Sequence, residues 1–172
     1  GERLKPAVND RPKVLAEING KPFLDILIDY VASFGFMRFI LCVGYKADLI
    51  RQYYKENKSS LEIIFSEEKR LLGTAGAIKN ARHFVKSSPF LVMNGDSFFD
   101  VNFDQLITFH KSKQSVTTIS LAHVDNTSRY GKVEINDRSE VIRFAEKGVS
   151  CNGLINGGIY IFNRDVIKNI PD

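Results

Sequence analysis

The sequence predicts an α/β protein with a mixed, mostly parallel sheet flanked by helices and with one inserted β-hairpin. Short apolar runs typical of buried strands alternate with amphipathic segments typical of helices, and this alternation stops in the last third of the chain. Strands joined through helices build parallel sheets. The chain has 172 residues, of which 44% are hydrophobic and 26% charged, so its composition is that of one folded domain.

The first half begins with a basic loop and continues with strands and helices. Residues 5–20 contain two prolines and several cations without helical spacing, which is typical of a solvated loop or of one that binds polyphosphate. An apolar stripe over 21–34, followed by Gly35, predicts a packing helix. A strand over 38–44, a helix over 46–57 and a strand over 61–66 follow, which predicts parallel pairing.

Small residues introduce the next helix, which is expected to end near Val85. Gly73, Thr74 and Ala75 lie in this run, where backbone groups without bulky side chains could lie against a base or a ribose. Glycines at helix starts also serve simply as caps or packing positions. The run alone therefore leaves both interpretations open.

Asp96 is the first candidate for chemistry, because it follows a strand directly. Residues 90–93 form a short apolar run typical of a buried strand, and Asn94 and Gly95 close it. Ligands of open α/β sheets bind at the carboxyl ends of strands. Gly95 would let a phosphate or a metal approach the backbone, and Asp96 would supply an oxygen ligand suited to Mg²⁺. The alternative is a polar turn without a ligand.

The second half departs from regular alternation. A helix is expected over 103–113, with His110 exposed or half-buried on it, and then a strand over 116–124. Residues 131–145 read as a hairpin that turns at Asn136 and Asp137. In the strand expected over 154–162, Gly157 and Gly158 predict a bulge or the close approach of a ligand. A helix begins at 164.

Charge and cysteine content narrow the class of function. The net charge of +4 comes from scattered Lys and Arg residues, which favours small anionic substrates over nucleic acid. Cys42 and Cys151 show neither metal-ligand spacing nor a disulfide framework, as expected in a reducing cytoplasm. No apolar run approaches the ~20 residues of a membrane span, and no leader pattern is present. No linker or repeat predicts a domain boundary.

Several motifs in a fixed order resemble those of the sugar-1-phosphate nucleotidyltransferases, and the resemblance runs over the whole chain. They are GERL at 1–4, RPK at 11–13 with GKP at 20–22, LGTAGA at 72–77, NGD at 94–96, YGKV at 130–133, EK at 146–147 and NGG at 156–158. Each motif alone is weak, but the ordered set is specific. GTAGA and INGGIY look most similar to guanylyltransferases of heptose and mannose 1-phosphates.

The resemblance implies a Rossmann-like nucleotide-diphospho-sugar transferase fold over 1–172, one domain that lacks the family's first strand and C-terminal portion. It implies transfer of GMP from a nucleoside triphosphate to a sugar 1-phosphate, with Mg²⁺ as cofactor, in the cytoplasm and for cell-surface glycans. The implied partners are these two substrates and a possible second copy of the chain, without nucleic acid or membrane.

The resemblance also assigns roles to single residues. Asp96 would bind the metal, and Arg3 and Lys13 would meet the triphosphate as catalytic cations. The resemblance implies further contacts of two kinds. The nucleotide would be contacted by Gly1, Gly73, Thr74, Ala75 and Gly95. The sugar phosphate would be contacted by Gly131, Glu146, Lys147 and Asn156.

Two other functions stay open at this level. A metal-dependent glycosyltransferase would use two close carboxylates in an Asp-x-Asp pattern, and Asp96 and Asp100 are too far apart for that pattern. A catalytically inactive regulatory relative would keep the NDP-sugar pocket. Glu2, where the family usually has Thr, and the missing second metal-binding Asp keep this possibility open.

Overall fold

The computed structural model describes residues 11–56, 60–145, 148 and 151–171. The chain forms two compact units: the first extends to Phe90 and also includes the residues from Arg164 onward, and the second is Leu91–Asn163. The single domain expected from the sequence stays a prediction.

Apart from one hairpin near the start, helices and strands occur in the predicted order, and the last helix is a 3-10 helix. The α-helices are α1 (Phe23–Ala32), α2 (Ala47–Glu56), α3 (Gly73–Asn80) and α4 (Phe103–Ser112). The strands are β1 (Glu17–Ile18), β2 (Lys21–Pro22), β3 (Arg38–Val43), β4 (Glu62–Glu67), β5 (Phe90–Met93), β6 (Thr117–Val124), β7 (Val133–Ile135), β8 (Val141–Phe144) and β9 (Gly153–Phe162). Short 3-10 helices cover Lys13–Leu15, Ala81–His83 and Arg164–Asn169.

The first unit contains the strand–helix–strand series predicted from apolar periodicity. β3 and β4 pair in parallel, from Arg38 opposite Glu62 to Val43 opposite Glu67. Its buried core combines residues of the first 3-10 helix, α1, β3 and α2, namely Leu15, Leu24, Ile28, Val43, Ala47 and Ile50. The hydroxyls of Tyr53 and Tyr54 both donate to the carboxylate of Asp25, which attaches α2 to α1.

The basic loop expected over 5–20 contains regular structure that the sequence analysis missed. β1 and β2 form an antiparallel hairpin, with Glu17 opposite Pro22 and Ile18 opposite Lys21. Asn19 and Gly20 connect them with φ angles of 51° and 78°. Two consecutive residues with positive φ are typical of a type I′ turn, for which Asn-Gly is a preferred pair. The expectation of an extended loop was therefore wrong from 17 onward.

The second unit is built on a five-stranded sheet. Its order is β5-β9-β7-β8, and β6 also pairs with β9. The pairs β6–β9, β7–β8 and β7–β9 are antiparallel. The predicted hairpin is confirmed as β7–β8, and the mixed α/β class is also confirmed. Among the described pairs with a stated register, β3–β4 is parallel and the others are antiparallel.

The bulge predicted in β9 is present. Tyr160 lies opposite Ile119, and Asn156 lies opposite Leu121. The step of four residues from Asn156 to Tyr160 on β9 therefore pairs with a step of only two residues on β6. A Cβ atom on Gly157 would come within 2.7 Å of the Phe99 ring. Glycine is therefore required by packing at this position.

His110 is buried, contrary to the expectation that it is exposed or half-buried. Its side chain is 3% exposed, its Nδ1 lies 2.8 Å from Thr118 Oγ1, and its Nε2 lies 3.3 Å from Asn163 Oδ1. Asn163 donates through Nδ2 to the Ser115 carbonyl, so its Oδ1 faces the imidazole and the Nε2 atom of His110 carries the proton. The residue holds α4 against the sheet.

Within the described ranges, no helix combines the length and apolarity needed to cross a bilayer.

Candidate functional site

In the first unit, Lys13 begins an exposed 3-10 turn. Pro12 and Leu15 are buried on either side of it, and Leu15 N donates to the Pro12 carbonyl at 2.9 Å. The neighbouring Arg11 forms an exposed ion pair with Glu17 at 3.1 Å. The buried residues hold the turn in place while Lys13 is directed to solvent, where a cation can meet an anionic ligand.

The glycine-rich run forms the first turn of α3. Gly73, Thr74 and Ala75 are all exposed there. Leu72, which precedes the helix, has an apolar side chain and makes no side-chain cap, while its own N–H donates to Glu68 at 3.2 Å. The first N–H groups of a helix lack partners within the helix and favour anions and other acceptors. This turn therefore fits contact with a nucleotide.

The remainder of α3 is anchored within the first unit. Asn80 donates through Nδ2 to Ser66 Oγ and to the Glu67 carbonyl, both at 3.0 Å, at the end of β4. Lys79 donates to the Ile170 carbonyl at 2.7 Å. The helix is thus held at its C-terminal end and exposed at its first turn.

In the second unit, the end of β5 presents Asp96 to solvent. Gly95 and Asp96 are both exposed, after the half-buried strand. A Cβ atom built on Gly95 would meet no atom within 4 Å, and Gly95 is absent from the residues with positive φ. Neither packing nor backbone conformation in the described chain requires a glycine here. The backbone beside the carboxylate is therefore open to the approach of a ligand.

The donor set at Asp96 fits Mg²⁺ that is shared with a substrate. The described part of the chain holds no group of three or more His, Cys, Asp and Glu side chains that could enclose a metal ion. Mg²⁺ characteristically keeps several waters and uses one or two carboxylates together with substrate phosphates. A single exposed carboxylate beside an open backbone position suits that mode, in which Asp96 would hold the ion together with phosphate oxygens.

Gly131 occupies a buried turn rather than an open surface. Its N–H donates to the Thr127 carbonyl at 3.1 Å, and the Tyr130 N–H donates to the same oxygen at 2.9 Å. Thr127 is itself buried, and its N–H donates to the Cys151 carbonyl at 2.9 Å. Because its N–H is already used, a sugar contact of Gly131 would involve its carbonyl or Cα, and this role stays a prediction.

Asn156 is exposed on β9, and both ends of its side-chain amide have partners. Oδ1 accepts from the Gly158 N–H at 2.8 Å, and Nδ2 donates to the Tyr160 hydroxyl at 2.6 Å. The Asn94 N–H donates to the Gly158 carbonyl at 2.9 Å. The second unit therefore brings the NGD and NGG motifs together, with the strand end that carries Asp96 beside the bulge that carries Asn156.

Four predicted site residues, Gly1, Arg3, Glu146 and Lys147, lie outside the described residues. Their roles stay predictions from the resemblance. Sequence reasoning in turn missed two side chains beside the predicted motifs, namely Tyr160, whose hydroxyl accepts from Asn156, and Asn94, which packs against Gly158. Asn94 was interpreted only as a turn residue, although it belongs to the NGD motif, and no signal marked Tyr160.

Comparison with known proteins gives one consistent result. The nucleotidyl transferase family model matches residues 1–172. The D-glycero-alpha-D-manno-heptose 1-phosphate guanylyltransferase of Campylobacter jejuni is 40% identical over 169 residues, which are 98% of this chain and 74% of that protein. The mannose-1-phosphate guanyltransferase of Aspergillus fumigatus is 38% identical over 177 residues, which cover 99% of this chain and 49% of that protein.

A solved structure agrees with these relatives. HddC from Yersinia pseudotuberculosis complexed with GMP-PN superposes with a TM-score of 0.86 and 37% identity, over 99% of this chain and 75% of that chain. The sequence and fold matches thus cover nearly all of the chain. On these grounds, the chain belongs to the nucleotidyl transferase family.

Proposed function

We propose that the chain transfers a guanylyl group from GTP to a sugar 1-phosphate of the heptose or mannose type and releases pyrophosphate. The observation that carries this proposal is the end of β5, where an exposed carboxylate, Asp96, follows a glycine that neither packing nor backbone conformation requires. A phosphate with its metal ion is the ligand that such a strand end fits.

The relatives support the choice of substrates. Proteins 40% and 38% identical to this chain carry the names of heptose and mannose 1-phosphate guanylyltransferases. The solved structure at 37% identity holds GMP-PN. We therefore assign GTP as the donor and a heptose or mannose 1-phosphate as the acceptor.

The reaction needs positioning and charge neutralisation more than covalent chemistry by the protein. An oxygen of the sugar phosphate attacks the α-phosphorus of GTP, the bond from that phosphorus to the β-phosphate oxygen breaks, and pyrophosphate leaves with its electrons. Lys13 would bind the triphosphate as a point charge, and the first turn of α3 would supply uncapped N–H groups to the nucleotide. Arg3 and Lys147 complete the proposed charge set through the resemblance.

Mg²⁺ is part of the proposal, with Asp96 as its protein ligand. When bound, the ion neutralises negative charge on the phosphate oxygens. The chain's own contribution is to hold one carboxylate at the end of a strand and to keep the adjacent backbone open. Chelation of Mg²⁺ should abolish turnover, and added Mg²⁺ should restore it.

The substrate assignment is tested by pyrophosphate release. The full chain is incubated with each of GTP, CTP, UTP, dTTP and ATP, and with a panel of sugar 1-phosphates that includes heptose and mannose forms. We expect GTP with one of these two sugars to give the highest kcat/KM. A clear preference for CTP or dTTP would contradict the guanylyl assignment, and tight NDP-sugar binding without any turnover would favour the regulatory alternative.

The metal role is tested by Asp96→Asn, with Asp137→Asn as the matched control. Both aspartates are exposed in the second unit, but Asp137 lies in the turn between β7 and β8. Asp96→Asn should remove nearly all turnover, since the neutral amide is a poor Mg²⁺ ligand, while the circular dichroism spectrum stays that of the parent. Near-parental activity of Asp96→Asn would remove this residue from the metal site.

The wider setting belongs to the same proposal. We assign the product, a GDP-sugar, to the synthesis of lipopolysaccharide or another surface polysaccharide in the cytoplasm, and we include a homo-oligomer as a possible active form. Light scattering coupled to size-exclusion chromatography gives the number of copies in solution.

A further inference from the structure

The amide of Asn156 can adopt only one of its two orientations. Its partner on one side is the Gly158 N–H, at 2.8 Å, which is a donor and therefore requires the oxygen of the amide. A flipped amide would place two donors against each other. Nδ2 must then face the Tyr160 hydroxyl at 2.6 Å, where the phenol oxygen accepts. With respect to the described residues, one amide hydrogen and one lone pair of Asn156 remain for an external ligand.

The Gly158 N–H that selects this orientation is itself held in place. The Gly158 carbonyl accepts from the Asn94 N–H at 2.9 Å. The Asn94 side chain also packs against Gly158, because a Cβ atom on Gly158 would lie 2.7 Å from Asn94 Nδ2. Asn94 precedes Gly95 and Asp96 directly. The contact between Asn94 and Gly158 therefore anchors both the strand end that carries Asp96 and the Gly158 N–H that orients Asn156.

Tyr160 reaches Asn156 only because of the bulge. In a regular strand, residues four apart are separated by about 13 Å along the strand, which is too far for these two side chains to bond. The extra residues at Gly157 and Gly158 shorten this path. The Tyr160 ring is also stacked on Phe162, with ring centroids 5.8 Å apart and an interplanar angle of 9°. The phenol is thus a restrained partner for the amide.

We propose that Tyr160 is a positioning residue for the sugar phosphate, acting through Asn156. Its hydroxyl holds the amide in the orientation that the Gly158 N–H selects, and one donor and one acceptor of Asn156 then match a sugar hydroxyl. The inference rests on the proposed function, because Asn156 is assigned to the sugar through the family resemblance. Tyr160 itself does not touch the substrate.

The positioning is tested first without substrate, by NMR of the Asn156 side-chain amide in the full chain. Asn126 in the same chain is a reference, because it is also exposed and its Oδ1 also accepts from the N–H of the second residue after it. That donor is the Ser128 N–H, at 2.9 Å. We expect the amide hydrogens of Asn156 to exchange about threefold to tenfold more slowly than those of Asn126, the factor of one hydrogen bond. Equal rates in the parent protein would overturn the proposal.

The Tyr160→Phe variant removes the hydroxyl and keeps the ring. It should shift the Asn156 amide resonances and raise their exchange rate to that of Asn126. The KM for the sugar 1-phosphate should rise about threefold to tenfold, while the KM for GTP stays unchanged. Tyr45→Phe is the matched control, because Tyr45 is 82% exposed and lies in the first unit, and it should change neither quantity.

A double-mutant cycle separates positioning from direct contact. In an Asn156→Ala background, Tyr160→Phe should have no further effect on the KM for the sugar 1-phosphate. A further increase there would mean that Tyr160 touches the sugar and would overturn the proposal as stated. Unchanged Asn156 resonances in Tyr160→Phe would also overturn it. Absence of turnover in the parent would instead contradict the proposed function, and the NMR result would still decide the positioning.

Discussion

A substitution of Gly158 by alanine separates two costs that are usually mixed, backbone strain and close packing. Gly158 and Gly20 both have a φ of 78°, a conformation that costs any residue with a Cβ. At Gly158 the new Cβ would lie 2.7 Å from Asn94 Nδ2 and 3.1 Å from its Cγ. At Gly20 it would meet no atom within 4 Å. Gly20→Ala is therefore a matched control for strain alone.

The expected magnitudes follow from these distances. Left-handed backbone costs alanine about 1–2 kcal/mol, and both variants bear this cost. Overpacking costs about 1–3 kcal/mol more, and it applies at Gly158 because Asn94 must move. We therefore expect a loss of about 1–2 kcal/mol in the free energy of unfolding for Gly20→Ala and of about 2–5 kcal/mol for Gly158→Ala.

Urea unfolding followed by circular dichroism measures both variants, and thermal unfolding supports it. For a chain of this length, each kcal/mol lowers the Tm by about 2–4 °C. The two variants should show parental slopes with urea and different midpoints. Equal losses in both would refute the reasoning, because they would show that the Asn94 side chain leaves its position at no cost and does not hold the bulge.

Three further predictions concern other parts of the chain. Gly95→Ala should keep parental stability, since its Cβ meets open space, but should weaken GTP binding measured by calorimetry. His110→Ala should lower the free energy of unfolding by about 2–4 kcal/mol in urea titrations, from a cavity and from two partners left unpaired. The hydrogen bond to Asp25, with burial, raises the pKa of Tyr53 from 10.0 to about 12, so the folded state keeps this proton longer than the unfolded state. Its contribution is fully present below pH 10 and is lost as pH rises toward 12, and Tyr53→Phe should flatten this loss in urea midpoints measured across the same range.

Local sequence patterns were sufficient where the structure is local. The strand Arg38–Val43 and the helix Ala47–Glu56 follow from apolar spacing over about ten residues, which records the face that each element buries. The bulge in β9 was predicted from two adjacent glycines, and the β7–β8 hairpin from Asn136 and Asp137. The β1–β2 hairpin carried the same kind of signal in Asn19 and Gly20, but it was outweighed by neighbouring prolines and cations.

Burial of single polar residues could not be predicted, because their partners are distant in the chain. His110 bonds Thr118, eight residues away, and Asn163, 53 residues away. Only the paired sheet brings these three side chains together. The contact between Tyr160 and Asn156 was also unpredictable, although the two residues are only four apart in the chain. A regular strand would keep their side chains apart, and only the bulge brings them together.

The glycines near the candidate site also show why sequence could name the motifs but not their separate roles. Gly157 and Gly158 are required by the chain itself, since a Cβ on either would come within 2.7 Å of a neighbouring side chain. Among the described residues, Gly95 lacks any such neighbour, so the backbone there is open to a ligand. We therefore expect the bulge to hold Asn156 and the strand end in place, and the open position at Gly95 to admit the proposed ligand. The proposed in-line transfer between two phosphates needs both properties, because an error in position reduces the rate as strongly as loss of a charge.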